Sequence, residues 1–195
     1  MLFRKIRKEE DYYLKKAILG EREGFEYLVD TYRNLAYTVA FKICGNRENA
    51  EEVVQDAFMK AFNALATFRS AAKFSTWLYK IVYHTALTKK SSRCMDSVEL
   101  NDESGDLVYV LDEKKEFNGL FQADRKEYIN LGLAQLVEEE RIVVTLHYLG
   151  EKSIAEIAEI LEIGKSAIKM RLMRGRRKLE ESLKGLLKEE LKDLL

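Results

Sequence analysis

At 195 residues the chain is long enough for one domain or two small ones, and its 33 basic and 33 acidic side chains leave no formal net charge. There is no proline, which fits long helices joined by short connections, and no apolar run approaches the roughly 18 residues of a membrane span. The opening MLFRKIRKEEDYYLKK lacks the apolar stretch of a secretion signal, and Cys44 and Cys94 stand at no metal-like spacing, so reduced thiols, a cytoplasmic location and no metal or cofactor are expected.

Neutrality hides segregation. Net charge is +6 over residues 1–93, −7 over 94–124 and +1 over 125–195. The middle stretch has no sustained helical period and reads as an acidic linker, so the predicted architecture is all-α, two helical domains joined by that linker. In the first domain, Phe25, Leu28, Val29, Tyr32, Leu35, Ala36, Val39, Ala40 and Ile43 form one apolar stripe. Gly24 is placed ahead of this helix and Gly45 at a left-handed cap after it. A second helix starts near Asn49 and turns Val53, Val54, Ala57, Phe58, Ala61 and Phe62 inward. Its other side offers Glu51, Glu52, Gln55, Asp56 and Met59, which on the pattern alone is a solvated face.

From Phe68 onward, Phe68, Phe74, Trp77, Tyr79 and Tyr83 alternate with Arg69, Lys73, Lys80, Lys89, Lys90 and Arg93. Aromatic faces stack on unpaired bases while Lys and Arg neutralise phosphates, a combination that suits single-stranded nucleic acid. The plainer account makes Trp77, Leu78, Ile81 and Val82 core and leaves the charges in water, and both accounts stand at this point.

Residues 125–195 carry helices through Tyr128–Leu136 and Arg141–Leu149. Ser153 and Glu156 then form a capping box, Ile154, Ile157, Ala158 and Leu161 face one way, and Glu162, Ile163 and Gly164 make a short turn. Two short helices joined tightly, the second basic, describe a helix-turn-helix. On the second, Ile168, Leu172, Gly175 and Leu179 fall on one stripe that must face the core. Opposite it and on its flanks lie Lys165, Ser166, Lys169, Met170, Met173, Arg174, Arg176 and Arg177, a face suited to a DNA major groove. Arg177 points away from the stripe towards a base edge, whereas Arg176 lies nearer the core side, where phosphate is the expected contact.

In this order the motifs resemble the extracytoplasmic-function sigma factors of bacterial RNA polymerase. The resemblance rests on the run Asn49 to Phe58, on Phe74-Ser-Thr-Trp-Leu-Tyr-Lys-Ile81, and on Glu156-Ile-Ala158 with Ile168 to Arg171 and Arg177 to Leu179. It implies a promoter-specific initiation factor, not an enzyme. Glu51, Glu52, Gln55, Asp56 and Met59 would bind core RNA polymerase. Phe68, Arg69, Lys73, Phe74, Ser75, Trp77, Lys80, His84, Lys89 and Lys90 would meet the −10 element. The basic helix would read the −35 element, and the linker would run through the polymerase. Core polymerase and promoter DNA are the implied partners, with an anti-sigma factor admitted as a further one. The chain departs from the family pattern at His84, at Leu136-Val137, and at Gly164, Ser166 and Ala167.

Two other functions compete. An enzyme would need a site that the sequence lacks: there is no phosphate-binding glycine loop, no Ser/His/Asp arrangement, and His84 and His147 sit in helical apolar surroundings. A helix-turn-helix regulator acting without core polymerase would explain residues 125–195. It would leave the aromatic-basic stretch at 67–93 and the Glu52–Asp56 face without a purpose.

Overall fold

The structure is a computed structural model that describes residues 2–68, 73–96 and 128–193, with side chains described at 9–68, 73–92 and 128–186. Every regular element among these residues is helical, and the chain divides into two compact units at Ser97/Val98. The expected linker at 94–124 lies outside the described residues from 97 on. Its first residues belong to a helix, because α4 continues to Asp96.

The first unit comprises α1 (Leu2–Ile18), α2 (Arg22–Cys44), α3 (Arg47–Ala64), a short 3-10 turn (Leu65–Thr67) and α4 (Phe74–Asp96). Helix α2 is central and packs on α1, α3 and α4. Leu28, Ala36, Val39, Ala40 and Ile43 of α2 meet Ala50, Val53, Ala57 and Ala61 of α3, and Leu78, Val82 and Ala86 of α4, all buried. The many alanines at these crossings let the helix axes approach closely.

Two adjacent caps make the α2–α3 hairpin. Gly45 takes the left-handed conformation at φ 78°, its N–H donating to the Phe41 carbonyl, which ends α2. Asn46 is extended, and its side-chain oxygen accepts from the Asn49 N–H at 2.9 Å, which starts α3 two residues ahead of the expected position.

Helix α1 was not expected, and it corrects the reading of Gly24. That glycine lies inside the first turn of α2, not before it. A Cβ there would sit 2.3 Å from the Ala17 backbone nitrogen and 2.6 Å from the Tyr13 carbonyl oxygen, so α1 and α2 touch backbone to side-chain-free backbone. Tyr13 stacks on Tyr27 with centroids 4.1 Å apart, and Leu14 and Ala17 are buried. Glu10 accepts a hydrogen bond from the buried Tyr32 hydroxyl, and burial together with that carboxylate pushes the phenol pKa up.

The second unit comprises α5 (residues 128–134), α6 (Glu138–Tyr148), α7 (Ile154–Leu161) and α8 (Lys165–Asp193). Helix α6 starts three residues earlier than the pattern suggested, because Glu138, Glu139 and Glu140 form its first turn, where the helix dipole favours acids. Arg141 reaches back to donate to the carbonyls of Ala134 and Leu136 at 3.2 and 2.7 Å, closing the end of α5. Its half-burial lowers the guanidinium pKa. Ile142, Val143, Val144 and Leu146 are buried, with Leu133, Leu136, Ile157, Ile160, Leu161, Ile168 and Leu172 around them. Ile160 enters the core where Ile154 and Ala158, expected inside, are only partly covered.

Candidate nucleic-acid interface

The α7–α8 corner is fixed by local chemistry. Ser153 and Glu156 cap each other reciprocally, the Ser153 N–H donating to Glu156 at 2.8 Å. Glu162 turns left-handed at φ 55°, and the Ile163 N–H donates to the Ala158 carbonyl at 3.2 Å. Gly164 immediately precedes α8, its carbonyl accepting from Ile168 at 3.1 Å. Ile168, Leu172 and Gly175 are buried and Leu179 is partly so, as the helical angles require. Gly175 lies against α6: a Cβ there would meet Val144 Cγ2 at 2.7 Å.

This register sorts the cations of α8 into two groups. Arg171 Nη2 lies 2.7 Å from Glu139 Oε2, and Lys178 Nζ donates to the buried Glu140 carboxylate at 2.8 Å, so both are committed to α6. Lys165, Lys169, Arg174 and Arg176 are exposed and have no acidic partner among the described residues. Arg177 stands 3.9 Å from Glu181 with both side chains in water, a pairing too loose and too solvated to neutralise it. Ser166, Met170 and Met173 are exposed between these cations. The whole expected −35 set therefore shares one solvent-facing surface.

In the first unit the aromatic-basic stretch divides differently. Phe74 and Ser75, expected at the nucleic acid, are buried at 2% and 6% exposure. Helical register puts Phe74 on the face of Leu78 and Val82, and its ring meets Tyr32 of α2 at 5.5 Å. Tyr79, also placed in the base-stacking series, is buried as well, and its burial pushes its pKa up. Trp77 and Ile81, expected in the core, are only partly covered. Phe68 and Trp77 lie over Phe74 as a cluster, with centroids 5.2 Å apart and each 5.7 Å from Phe74. Lys73 and Lys90 are exposed, Lys80 and His84 half-buried, and Arg69 lies outside the described residues.

Trp77, Lys80, His84 and Thr88 line one wall of an open groove of about 460 Å³, with Lys60 and Ala64 of α3 opposite. Lys60 was missed by the sequence reading. Its Nζ donates to Thr85 Oγ1 at 3.2 Å, a contact between residues 25 apart that no local pattern signals.

On α3, Glu51, Glu52, Gln55, Asp56 and Met59 are all exposed, Met59 at 61%. Glu51 pairs with Arg47 at 2.8 Å one turn earlier, and Glu52 pairs with Lys89 of α4. Two of the expected polymerase contacts and one expected DNA contact are thus engaged inside the unit. His147 has a local role, its Nδ1 lying 2.9 Å from the Lys152 carbonyl oxygen.

A capped helix-turn-helix with an outward cationic face, on the same chain as a helical unit whose groove is lined by Trp77, Lys60 and Lys80, fits a helical DNA-binding protein. The sigma-70 region 2 family matches residues 28–93, and the sigma-70 region 4 family matches residues 126–179. The chain is 30% identical over 180 residues to the ECF RNA polymerase sigma factor SigW of Bacillus subtilis strain 168, covering 89% of this chain and 96% of that protein. To the RNA polymerase sigma-H factor of Pseudomonas aeruginosa it is 27% identical over 192 residues, covering 94% and 99%. Two solved structures share the fold. The sigma factor RpoE of Bartonella quintana, in complex with the anti-sigma factor NepR, has a TM-score of 0.63 at 22% identity over 82% of this chain and 96% of that one. CnrH, in complex with the cytosolic domain of CnrY, has a TM-score of 0.61 at 21% identity over 89% and 96%. The chain belongs to the extracytoplasmic-function sigma factors of the sigma-70 family. Its function is promoter-specific transcription initiation with RNA polymerase, which sets aside a regulator acting without the polymerase.

Proposed function

We propose a division of that function among the surfaces described above. Helix α8 reads the −35 element through Lys165, Ser166, Lys169, Met170, Met173, Arg174, Arg176 and Arg177, and the sorting of cations on that helix carries the reading. Between Lys165 and Lys178, the cations without a partner on α6 are all exposed to solvent. Gln55, Asp56 and Met59, with Glu51 and Glu52 beside them, dock on core polymerase. The groove between α3 and α4 takes the −10 strand, with Lys60, Lys80 and His84 along its walls, while Phe74 supports Phe68 and Trp77 from beneath and Ser75 is buried beside it. Residues 1–93 and 125–195 are then the two working domains, with 94–124 joining them. The factor performs no chemistry of its own, because binding unstacked bases offsets the few kcal/mol needed to open the duplex.

No helix among the described residues is long and apolar enough to cross a membrane, and a cytoplasmic site of action fits a partner of the polymerase. An anti-sigma factor is a further partner, by analogy with the complex of RpoE with the anti-sigma factor NepR. The test is transcription in vitro with purified core polymerase and a promoter library. Specific initiation should require core enzyme, this chain and both promoter elements together. Sequence-specific transcription that persists without a −35 element would remove α8 from the assignment.

A further inference from the structure

The centre of the outward face of α8 is apolar. Met170 and Met173 are 47% and 57% exposed, three residues apart on one side of the helix, and the core is already closed without them by Ile168 and Leu172. Lys169, Arg174, Arg176 and Arg177 surround them, so the patch is a small apolar centre inside a cationic rim. That rim selects a polyanion. A lipid-inserting helix would present larger apolar residues, and none stands on this face.

For a helix laid in the major groove, flanking cations meet phosphate and the central side chains meet base edges. Among those edges only thymine offers an apolar group, its C5 methyl. The other edges are hydrogen-bond donors and acceptors, which a thioether would desolvate without replacing their water. Methionine is unbranched and polarisable, so it can follow a methyl whose position varies slightly between sites.

Resting on the assignment of α8 to the −35 element, we infer that Met170 and Met173 select that element by covering thymine methyl groups. Three residues advance a helix by about 4.5 Å, more than one 3.4 Å base-pair step and less than two, so the two side chains fall on different base pairs, most nearly neighbouring A·T pairs. Covering one methyl should strengthen binding roughly fourfold. This gain is apolar and stays nearly constant with salt, unlike the contribution of the arginines.

The experiment uses holoenzyme reconstituted from core polymerase and the full chain, on a promoter selected from a randomised −35 library. Each thymine of the element is replaced in turn by deoxyuridine, which removes the C5 methyl and leaves every hydrogen-bonding group. Two neighbouring replacements should each weaken wild-type binding about fourfold at both low and high salt. Met173→Ala should abolish sensitivity to one of them and Met170→Ala to the other, whereas the Leu variants retain it. Both side chains are exposed, so unchanged unfolding curves should accompany the Ala variants. The inference is overturned if deoxyuridine is tolerated everywhere while scrambling the −35 element still abolishes binding. It is equally overturned if the Ala variants weaken association with core polymerase in the absence of DNA, since the patch would then be a protein contact. Scrambling that has no effect would instead overturn the −35 assignment itself.

Discussion

At the scale of single residues, the basic helix contains two kinds of cation that composition cannot distinguish. Lys178 sits over Glu140, whose carboxylate is only 5% exposed, while Arg174 and Arg176 face water. Lys178→Met should therefore cost the second unit about 1–3 kcal/mol, because it strands a buried carboxylate. Adding Glu140→Gln should recover part of that loss. Arg176→Ala should leave stability within about 0.5 kcal/mol but lower promoter affinity and flatten its salt dependence. Urea unfolding alongside binding at two salt concentrations measures both. Equal destabilisation by Lys178→Met and Arg176→Ala would contradict the sorting. The outward set was legible in the sequence because helical angles alone determine it. The inward set was not, since Glu139 and Glu140 lie more than 30 residues away from their partners. The burial of Phe74 was hidden for the same reason. Alternating aromatics and cations look alike whether they stack on bases or on a neighbour, and the deciding neighbour is Tyr32 of α2.

Among elements, what was legible is what local chemistry decides. Gly45 and the Ser153–Glu156 box mark helix ends within a few residues, and both stand where the sequence places them. Helix α1 was not legible, because its first residues are dominated by charge and, among its residues with described side chains, the buried apolar ones are Leu14 and Ala17. Missing α1 in turn misassigned Gly24, whose purpose is visible only once the backbone of Ala17 is set against it. The two glycines should respond differently to the same substitution. At Gly45 nothing lies within 4 Å, so Gly45→Ala costs only the left-handed backbone, about 1–2 kcal/mol. At Gly24 the new methyl would strike backbone that no rotamer change can move aside. Gly24→Ala should displace α1 and make residues near Tyr13 and Ala17 accessible to protease, whereas Gly45→Ala should lower the unfolding midpoint and leave α1 protected. Limited proteolysis with mass mapping distinguishes them, and protection of α1 in both variants would refute the close-packing argument.

On the scale of the whole molecule, the zero net charge is the sum of a basic first stretch, an acidic middle one and a nearly neutral last one, and within the first the surfaces proposed for polymerase and for DNA share an ion pair. Glu52 belongs to the face proposed for core polymerase and Lys89 to the edge proposed for DNA, yet each holds the other across α3 and α4. Both are partly exposed, so the pair contributes at most about 0.2–1 kcal/mol, and breaking it cannot unfold the unit. That range is enough to bias binding. If a polymerase cation took Glu52 on the proposed docking face, Lys89 would be released towards phosphate, and docking would thereby raise the affinity of the same unit for DNA. Glu52→Gln imitates the release. The full-length variant should bind a fluorescent single strand carrying the −10 sequence up to about fivefold more tightly than wild type at low ionic strength, with the gain fading as salt screens it. Lys89→Gln should do the reverse on that strand while leaving Glu52 more available to core enzyme. Anisotropy titrations with both variants at two salt concentrations decide the matter. If Glu52→Gln leaves strand affinity unchanged at low salt, the pair opens too readily to couple the two surfaces, and each must then be recognised independently.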